Sequence, residues 1–367
     1  MRSANRPPPC TEADQAGHAG LLPSPPRWLP GGQAQTIWPA LCSRRHLGPA
    51  PRFRRERWTT PDGDFIDADW LADPLSGPWP GAGPAAPGDR PLLVLFHGLE
   101  GSSRSHYAQA FADAARRRSW GYVVPHFRGC SGEINLAPRA YHSGDHAEIG
   151  WMLAQLRQRH RGPVVAVGIS LGGNALLRWA QEAGESAAQQ VAAVAAVCSP
   201  IDLTAGGRRI GEGLNRWIYT PMFLRTMRVK ALAKWRQHPG LFDRERLLAA
   251  RSIEAFDDVF TAPLHGFAGV ADYWRRASAK PHLARLQLPA LLVNPRNDPF
   301  VPAACLPGPQ EVGPCVTLWQ PAGGGHVGFP GGRFPGHVLG LPAAVTGWLA
   351  GHLPARPHLP AEHTGPG

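Results

Sequence analysis

Ser170 lies in the run Gly168-Ile169-Ser170-Leu171-Gly172, a G-x-S-x-G spacing. A serine hydroxyl is a weak nucleophile until a neighbouring base takes its proton. The spacing supplies the steric half of that arrangement. Val164–Ile169 reads as an apolar strand and Gly172–Ala183 as a helix, so Ser170 falls on the sharp turn between them, with its Oγ exposed. Gly168 and Gly172 remove the side chains that would collide at such a turn. The helix N-terminus then sets the Leu171 N–H and a positive dipole end beside any oxyanion formed at Ser170.

The base has to come from sixteen histidines. His326, in Gly323-Gly324-Gly325-His326-Val327-Gly328-Phe329, follows the last strand-like run on a glycine-rich loop that can return an imidazole over the sheet. His337, His265 and His282 are the alternatives, and none has that setting. Asp298, just past the run Ala290–Asn294, is the acid expected to orient the imidazole, with Asp202 as runner-up. A second oxyanion donor is expected from the loop His97-Gly98-Leu99-Glu100-Gly101, where the Leu99 N–H is the choice. His97 reads as a loop-bracing hydrogen-bond partner. Glu100 is expected to point away or to pair with a base such as Arg128, since a carboxylate aimed at an oxyanion would repel it. Ser131, His142 and Asp145 read as loop residues. The H-x4-D match His238…Asp243 is assigned no role.

Elements capable of positioning these residues are legible along the chain. Arg54–Thr60 and Phe65–Leu71 read as strands joined at Pro61-Asp62-Gly63-Asp64. From residue 91 apolar runs alternate with helical segments: strands at Pro91–Phe96, Tyr122–His126, Val164–Ile169, Val191–Cys198, Ala290–Asn294 and Val316–Trp319, and helices at Ser105–Arg118, Asp145–His160, Gly172–Ala183 and Val338–Leu353. Strands apolar at every position, alternating with helices, mean a mostly parallel sheet covered on both faces, an α/β fold. The interval 202–285 has no strand signal and reads as a helical cap insertion across the strand ends. Residues 1–26, rich in proline, read as a disordered tail, 27–353 as one α/β domain, 72–90 as a surface loop and 354–367 as a flexible tail.

Composition narrows the function classes. Of 367 residues 43% are hydrophobic, enough to fill a core, and no apolar run reaches the ~18 residues of a membrane span. Six cysteines without C-x-x-C or zinc spacing read as free thiols, which with the lack of an apolar leader points to the cytoplasm. The net charge of +11 is concentrated: residues 1–60 hold 9 Lys and Arg against 3 acids, and 208–251 hold 11 against 3. No zinc finger, RNP motif or basic tract with interleaved aromatics accompanies it, so nucleic-acid binding is not expected.

The segments RWLPGGQAQTIWP (27–39), HGLEGSSRSHY (97–107), HFRGCSGE (126–133), YHSGD (141–145), GISLGGN (168–174), NDPF (297–300) and GGHVGF (324–329) resemble the YheT-like branch of the α/β-hydrolases, the AB-hydrolase-4 group. The resemblance spans residues 27 to about 350. It implies an α/β-hydrolase fold with Ser170 as nucleophile, Asp298 as acid and His326 as base, the order Ser…Asp…His of that superfamily. It also implies hydrolysis, and in some members transfer, of carboxylic esters and lipid acyl groups.

The expected activity is therefore serine carboxylester hydrolysis of short- to medium-chain acyl or lipid esters, without metal or organic cofactor. Acyl transfer to an alcohol and a catalytically silent binding fold are the alternatives. Within the cap, Met222–Arg236 carries Leu224, Met227, Ala231 and Trp235 on one helical face. It reads first as a lid helix packed on the sheet. The sharper expectation for this basic, aromatic segment is peripheral contact with an anionic membrane surface.

Overall fold

Strands Leu92–Phe96 (β3), Val164–Ile169 (β5), Ala193–Val197 (β6) and Ala290–Val293 (β7) are buried at every position, because both faces of their sheet are covered. The structure, a computed structural model, describes residues 24–72 and 90–354. The expected tails and the proline-rich loop lie almost wholly outside these residues. Phe53–Thr59 (β1), Phe65–Leu71 (β2), Gly121–Pro125 (β4) and Val316–Trp319 (β8) complete an eight-stranded sheet of order β1-β2-β4-β3-β5-β6-β7-β8. β1, β2 and β4 pair antiparallel, and every pairing from β4 across to β8 is parallel. The register Phe96 opposite Gly168 and Gly168 opposite Ala196 brings the C-terminal ends of β3, β5 and β6 to one edge.

Side chains alternate across this sheet as the strand period of two requires. Leu92, Val94 and Phe96 enter a core shared with helices His146–Arg159 (α3) and Leu171–Ala183 (α4). Leu93 and Leu95 face the opposite way, onto His106–Arg117 (α2) and the closing helix. The segment RWLPGGQAQTIWP (27–39), given no secondary structure above, contributes most of helix Gly32–Leu41 (α1), with Pro39 inside it. After a short helix Ala187–Gln190 (α5) and strand β6, the chain runs through Leu203–Ile210 (α6), Gly213–Gln237 (α7), Arg244–Ala249 (α8), Ile253–Phe256 (α9), Ala262–Leu264 (α10) and Val270–Ala277 (α11) before β7. Gly340–Gly351 (α12) closes the described chain.

Helix α7 corrects the expectation of a lid packed on the sheet. Its Leu224, Met227 and Ala231 join Phe242, Leu247, Ile253, Phe256 and Phe260 in an apolar cluster of the helical segment's own. Cysteines 42, 130, 198 and 305 are free as expected, whereas Cys315 is disulfide-bonded, a correction to the thiol reading. No described helix is long and apolar enough to cross a membrane.

Candidate active site

Ser170 adopts φ 52°, ψ −118° at the turn from β5 into α4. A non-glycine residue in the left-handed region is costly and persists only where its surroundings fix it. Here the Ser170 N–H donates to Val197 O at 2.8 Å, tying the turn to β6. The flanking glycines are needed for space. A Cβ on Gly172 would lie 2.5 Å from the carbonyl oxygens of Phe96 and His97, and one on Gly168 would lie 2.4 Å from Gly173 Cα.

The structure brings the three distant predicted residues together. His326 Nε2 lies 3.0 Å from Ser170 Oγ, and His326 Nδ1 lies 2.9 Å from Asp298 Oδ2. The Asp298 carboxylate also accepts from the Phe300 N–H at 2.8 Å, and its side chain is fully buried. The Phe300 ring packs against the imidazole, centroids 4.3 Å apart. Asp202 is elsewhere: its side chain accepts from the Ala205 N–H at the start of α6. His265 bonds Ala140 O, His337 packs on Gly331, and neither reaches Ser170. Asp243 caps α8 and His238 bonds Leu136 O, so the H-x4-D match is structural here.

Residues outside the expected set hold the histidine loop. Thr36 Oγ1 accepts from the His326 N–H at 2.8 Å, Gln35 Oε1 accepts from the Gly324 N–H at 2.9 Å, and Asn297 Oδ1 accepts from the Gly325 N–H at 3.0 Å. Helix α1 is thus the splint for the loop that carries the imidazole.

The loop after β3 reaches the same place: a Cβ on Gly98 would sit 3.2 Å from Ser170 Cβ. Leu99 and Leu171 line the cavity beside Ser170. Among the described residues neither Leu99 N–H nor Leu171 N–H is given to another hydrogen bond. His97 braces the loop, with Nδ1 against Gly98 O and Nε2 accepting from the Phe127 N–H. Burial pushes its pKa down to about 3, so it stays neutral. His142 and Asp145 are likewise loop-bound: Asp145 accepts from the Glu148 N–H and pairs with Arg139. Arg128 is buried against Asp62, Asp64 and Glu148, and the Ser131 carbonyl accepts from Arg55. Glu100 therefore does not find Arg128; its partners are Lys230 of α7 and Tyr141.

The cavity over Ser170 is mainly apolar. Phe223 and Met227 of α7 line it together with Ile210, Phe256 and Phe260, and Asp257, Lys230 and Lys234 are its charged lining residues. Cys198, Asp298 and His326 place possible ligand atoms within 4.8 Å of one another. They fit a metal poorly, since both imidazole nitrogens are already engaged, by Asp298 and Ser170, and burial pushes the Cys198 thiol well up. Its sulfur instead accepts from the Val327 N–H, bracing the same loop.

A parallel sheet with a serine at the strand-to-helix turn, backed by a late histidine and acid, defines an α/β-hydrolase of the esterase and lipase type. The sequence pattern of the alpha/beta hydrolase fold family matches residues 91–332, and the chain belongs to that family. Within it the chain belongs to the YheT-like branch. The YheT protein of Escherichia coli (strain K12) is 36% identical over 335 residues, 90% of this chain and 94% of its own. The human phospholipase ABHD3 is 28% identical over 318 residues, 85% of this chain and 74% of its own. A yeast relative, medium-chain fatty acid ethyl ester synthase/esterase 2 of Saccharomyces cerevisiae, is 29% identical over 275 residues, 66% of this chain and 58% of its own.

Proposed function

We propose that this protein hydrolyses short- to medium-chain acyl or lipid carboxylic esters through Ser170, His326 and Asp298. The observation that carries the reading is the unbroken hydrogen-bond series from Ser170 Oγ through His326 to the buried Asp298 carboxylate, with Ser170 lining an apolar cavity. Ser170 Oγ attacks the ester carbonyl while His326 Nε2 takes its proton, and Asp298 stabilises the imidazolium. The Leu171 and Leu99 N–H groups bind the oxyanion. Collapse expels the alcohol, protonated by His326. Water then attacks the acyl-enzyme, losing its proton to His326, and the acid leaves. None of these steps calls on a metal or organic cofactor. The helices between β6 and β7 act as the cap that shelters the acyl chain.

A fluorophosphonate probe labels wild type and not Ser170→Ala if this is right. Turnover rises from acetyl to longer acyl esters as the chain fills the cavity, by up to ~0.8 kcal/mol per buried methylene. A flat profile from acetyl to decanoyl overturns the chain-length reading, and a labelled Ser170→Ala overturns the nucleophile. Acyl transfer is the second reading, favoured by the name of the yeast relative. It predicts ester rather than free acid when an alcohol acceptor is added.

The lipid reading includes peripheral contact with an anionic membrane. Leu214, Trp217, Ile218 and Val229 are exposed on α7, Trp217 at 74%, within the stretch 208–251 that holds 11 basic and 3 acidic residues. Co-sedimentation with vesicles rich in anionic lipid, lost in Trp217→Ser and weak on zwitterionic vesicles, is the expected result.

A further inference from the structure

Leu99, the residue read above as an oxyanion donor, is flanked by two N–H groups that are each held by a tyrosine. Gly98 N–H donates to Tyr107 Oη at 3.0 Å, and Glu100 N–H donates to Tyr141 Oη at 3.0 Å. Gly101 N–H donates back to Gly98 O at 2.9 Å, closing a turn over residues 98–101. The third position of that turn is Glu100, at φ +57°. Glycine or asparagine is the usual occupant of such a position, and a glutamate costs about 1–2 kcal/mol there. The chain therefore keeps a carboxylate where backbone conformation disfavours it and where negative charge opposes an oxyanion.

Its partners account for the carboxylate. Tyr141 Oη, besides accepting from the Glu100 N–H, donates to Glu100 Oε1 at 2.8 Å. Lys230 Nζ donates to the same oxygen at 2.8 Å and to Cys130 Sγ at 3.3 Å. The pair is largely shielded, with side-chain exposures of 11% for Glu100 and 28% for Lys230, so solvent screens it less than a surface pair. The Tyr141 ring is itself fixed, stacked on Phe127 at 5.4 Å. Tyr141 and Glu100 thus belong to the sheet-edge loops, whereas Lys230 comes from α7, three residues from the cavity-lining Met227. The contact joins the helix that roofs the cavity to the turn that aims the Leu99 N–H.

We propose that Lys230 and Glu100 are positioning residues: with α7 seated, Lys230 neutralises and holds Glu100, which with Tyr141 keeps the Leu99 N–H aimed at the oxyanion. This rests on the reading of Ser170 as nucleophile and Leu99 as oxyanion donor. Loss of Lys230 leaves the Glu100 carboxylate without a countercharge near developing negative charge, held by Tyr141 alone. The effect falls on the transition state more than on substrate binding.

The test is steady-state hydrolysis of one medium-chain ester by the full-length chain carrying Lys230→Met, Lys230→Arg, Glu100→Gln and Lys230→Met/Glu100→Gln. Lys230→Met lowers kcat about 10- to 100-fold with KM changed less than threefold, and Lys230→Arg stays within about fivefold of wild type. The double variant recovers at least fivefold over Lys230→Met, because removing the charge removes the repulsion. A packing role for Lys230 gives no such recovery. Wild-type kcat in Lys230→Met, or no recovery in the double variant, overturns the proposal. Should Lys230→Met fail to fold, Glu100→Gly decides. It relieves the turn yet removes the carboxylate grip, so kcat falls although thermal stability does not, and an unchanged kcat overturns the proposal. Failure of the wild-type chain to label with the fluorophosphonate probe sinks the underlying reading instead, a separable result.

Discussion

Ser170 and Asp298 contribute unequally to the proposed chemistry. Ser170 forms the covalent bond, so its loss removes the acyl-enzyme route altogether. Asp298 acts through the imidazole. Its carboxylate is held by the N–H groups of Phe300 and Val301 as well as by His326, and Asp298→Asn keeps the space while offering an N–H where His326 Nδ1–H must donate. We expect kcat to fall by roughly 10⁴-fold for Asp298→Asn and by more for Ser170→Ala. Asp202→Asn stays within about twofold in kcat, because Asp202 only caps α6. Parallel kinetics on the three variants check this, and a larger loss at Asp202 than at Asp298 refutes the assignment.

The element with most leverage on the site is α1, which touches no substrate in this reading. It spans the ten residues Gly32–Leu41, with Pro39 inside and Gln35, Thr36 and Pro39 buried. Its fit depends on Gly32: a Cβ there would stand 1.8 Å from Asn297 O. Thr36→Val is nearly isosteric but leaves the part-buried His326 N–H without its acceptor, at a cost of ~1 kcal/mol. Some of that appears as lower stability and some as a mispositioned imidazole. Kinetics of Thr36→Val should therefore show kcat down severalfold with little change in KM, and Thr36→Ser close to wild type. This element also marks where sequence reasoning stops. Ser170, Asp298 and His326 were legible because each lies on a turn or loop that follows a strand-like run in the chain order Ser…Asp…His. The α/β layering was legible because β3, β5 and β6 are apolar at every position. Helix α1 was not legible, since Gly31-Gly32 and Pro39 are poor helix formers and its partners, the 297 and 323–328 loops, lie far away in the chain. The partner of Glu100 was hidden for the same reason: Lys230 is 130 residues away, and no local pattern distinguishes it from the other basic residues of 208–251.

Over the whole molecule, buried histidines set the response to acid. Burial lowers His97 to about 3, His106 to about 4, His142 to about 4 and His265 to about 3, each from an ordinary value near 6.5. Their neutral rings are structural: His97 accepts from the Phe127 N–H, and His106 bonds Val327 O beside the proposed base. A folded pKa below the unfolded one means the unfolded chain binds the extra proton, so the stability these groups supply is present above pH 6.5 and drains as pH falls toward 4. Two buried carboxyls act the other way: burial raises Glu148 to about 7 and Asp257 to about 6, so the folded state takes up protons there. His160 is lowered likewise, to about 4, so the histidines outnumber the two carboxyls and unfolding takes up protons near pH 5.5, where stability falls with pH. Urea unfolding midpoints should therefore hold steady from pH 8 to 7 and drop steeply between pH 6.5 and 4.5. His265→Gln, which keeps an N–H donor for Ala140 O, should flatten that drop by about one proton's worth while changing the midpoint at pH 8 far less. If the midpoint moves with pH equally in wild type and His265→Gln, the buried histidines are not what makes the fold acid-sensitive.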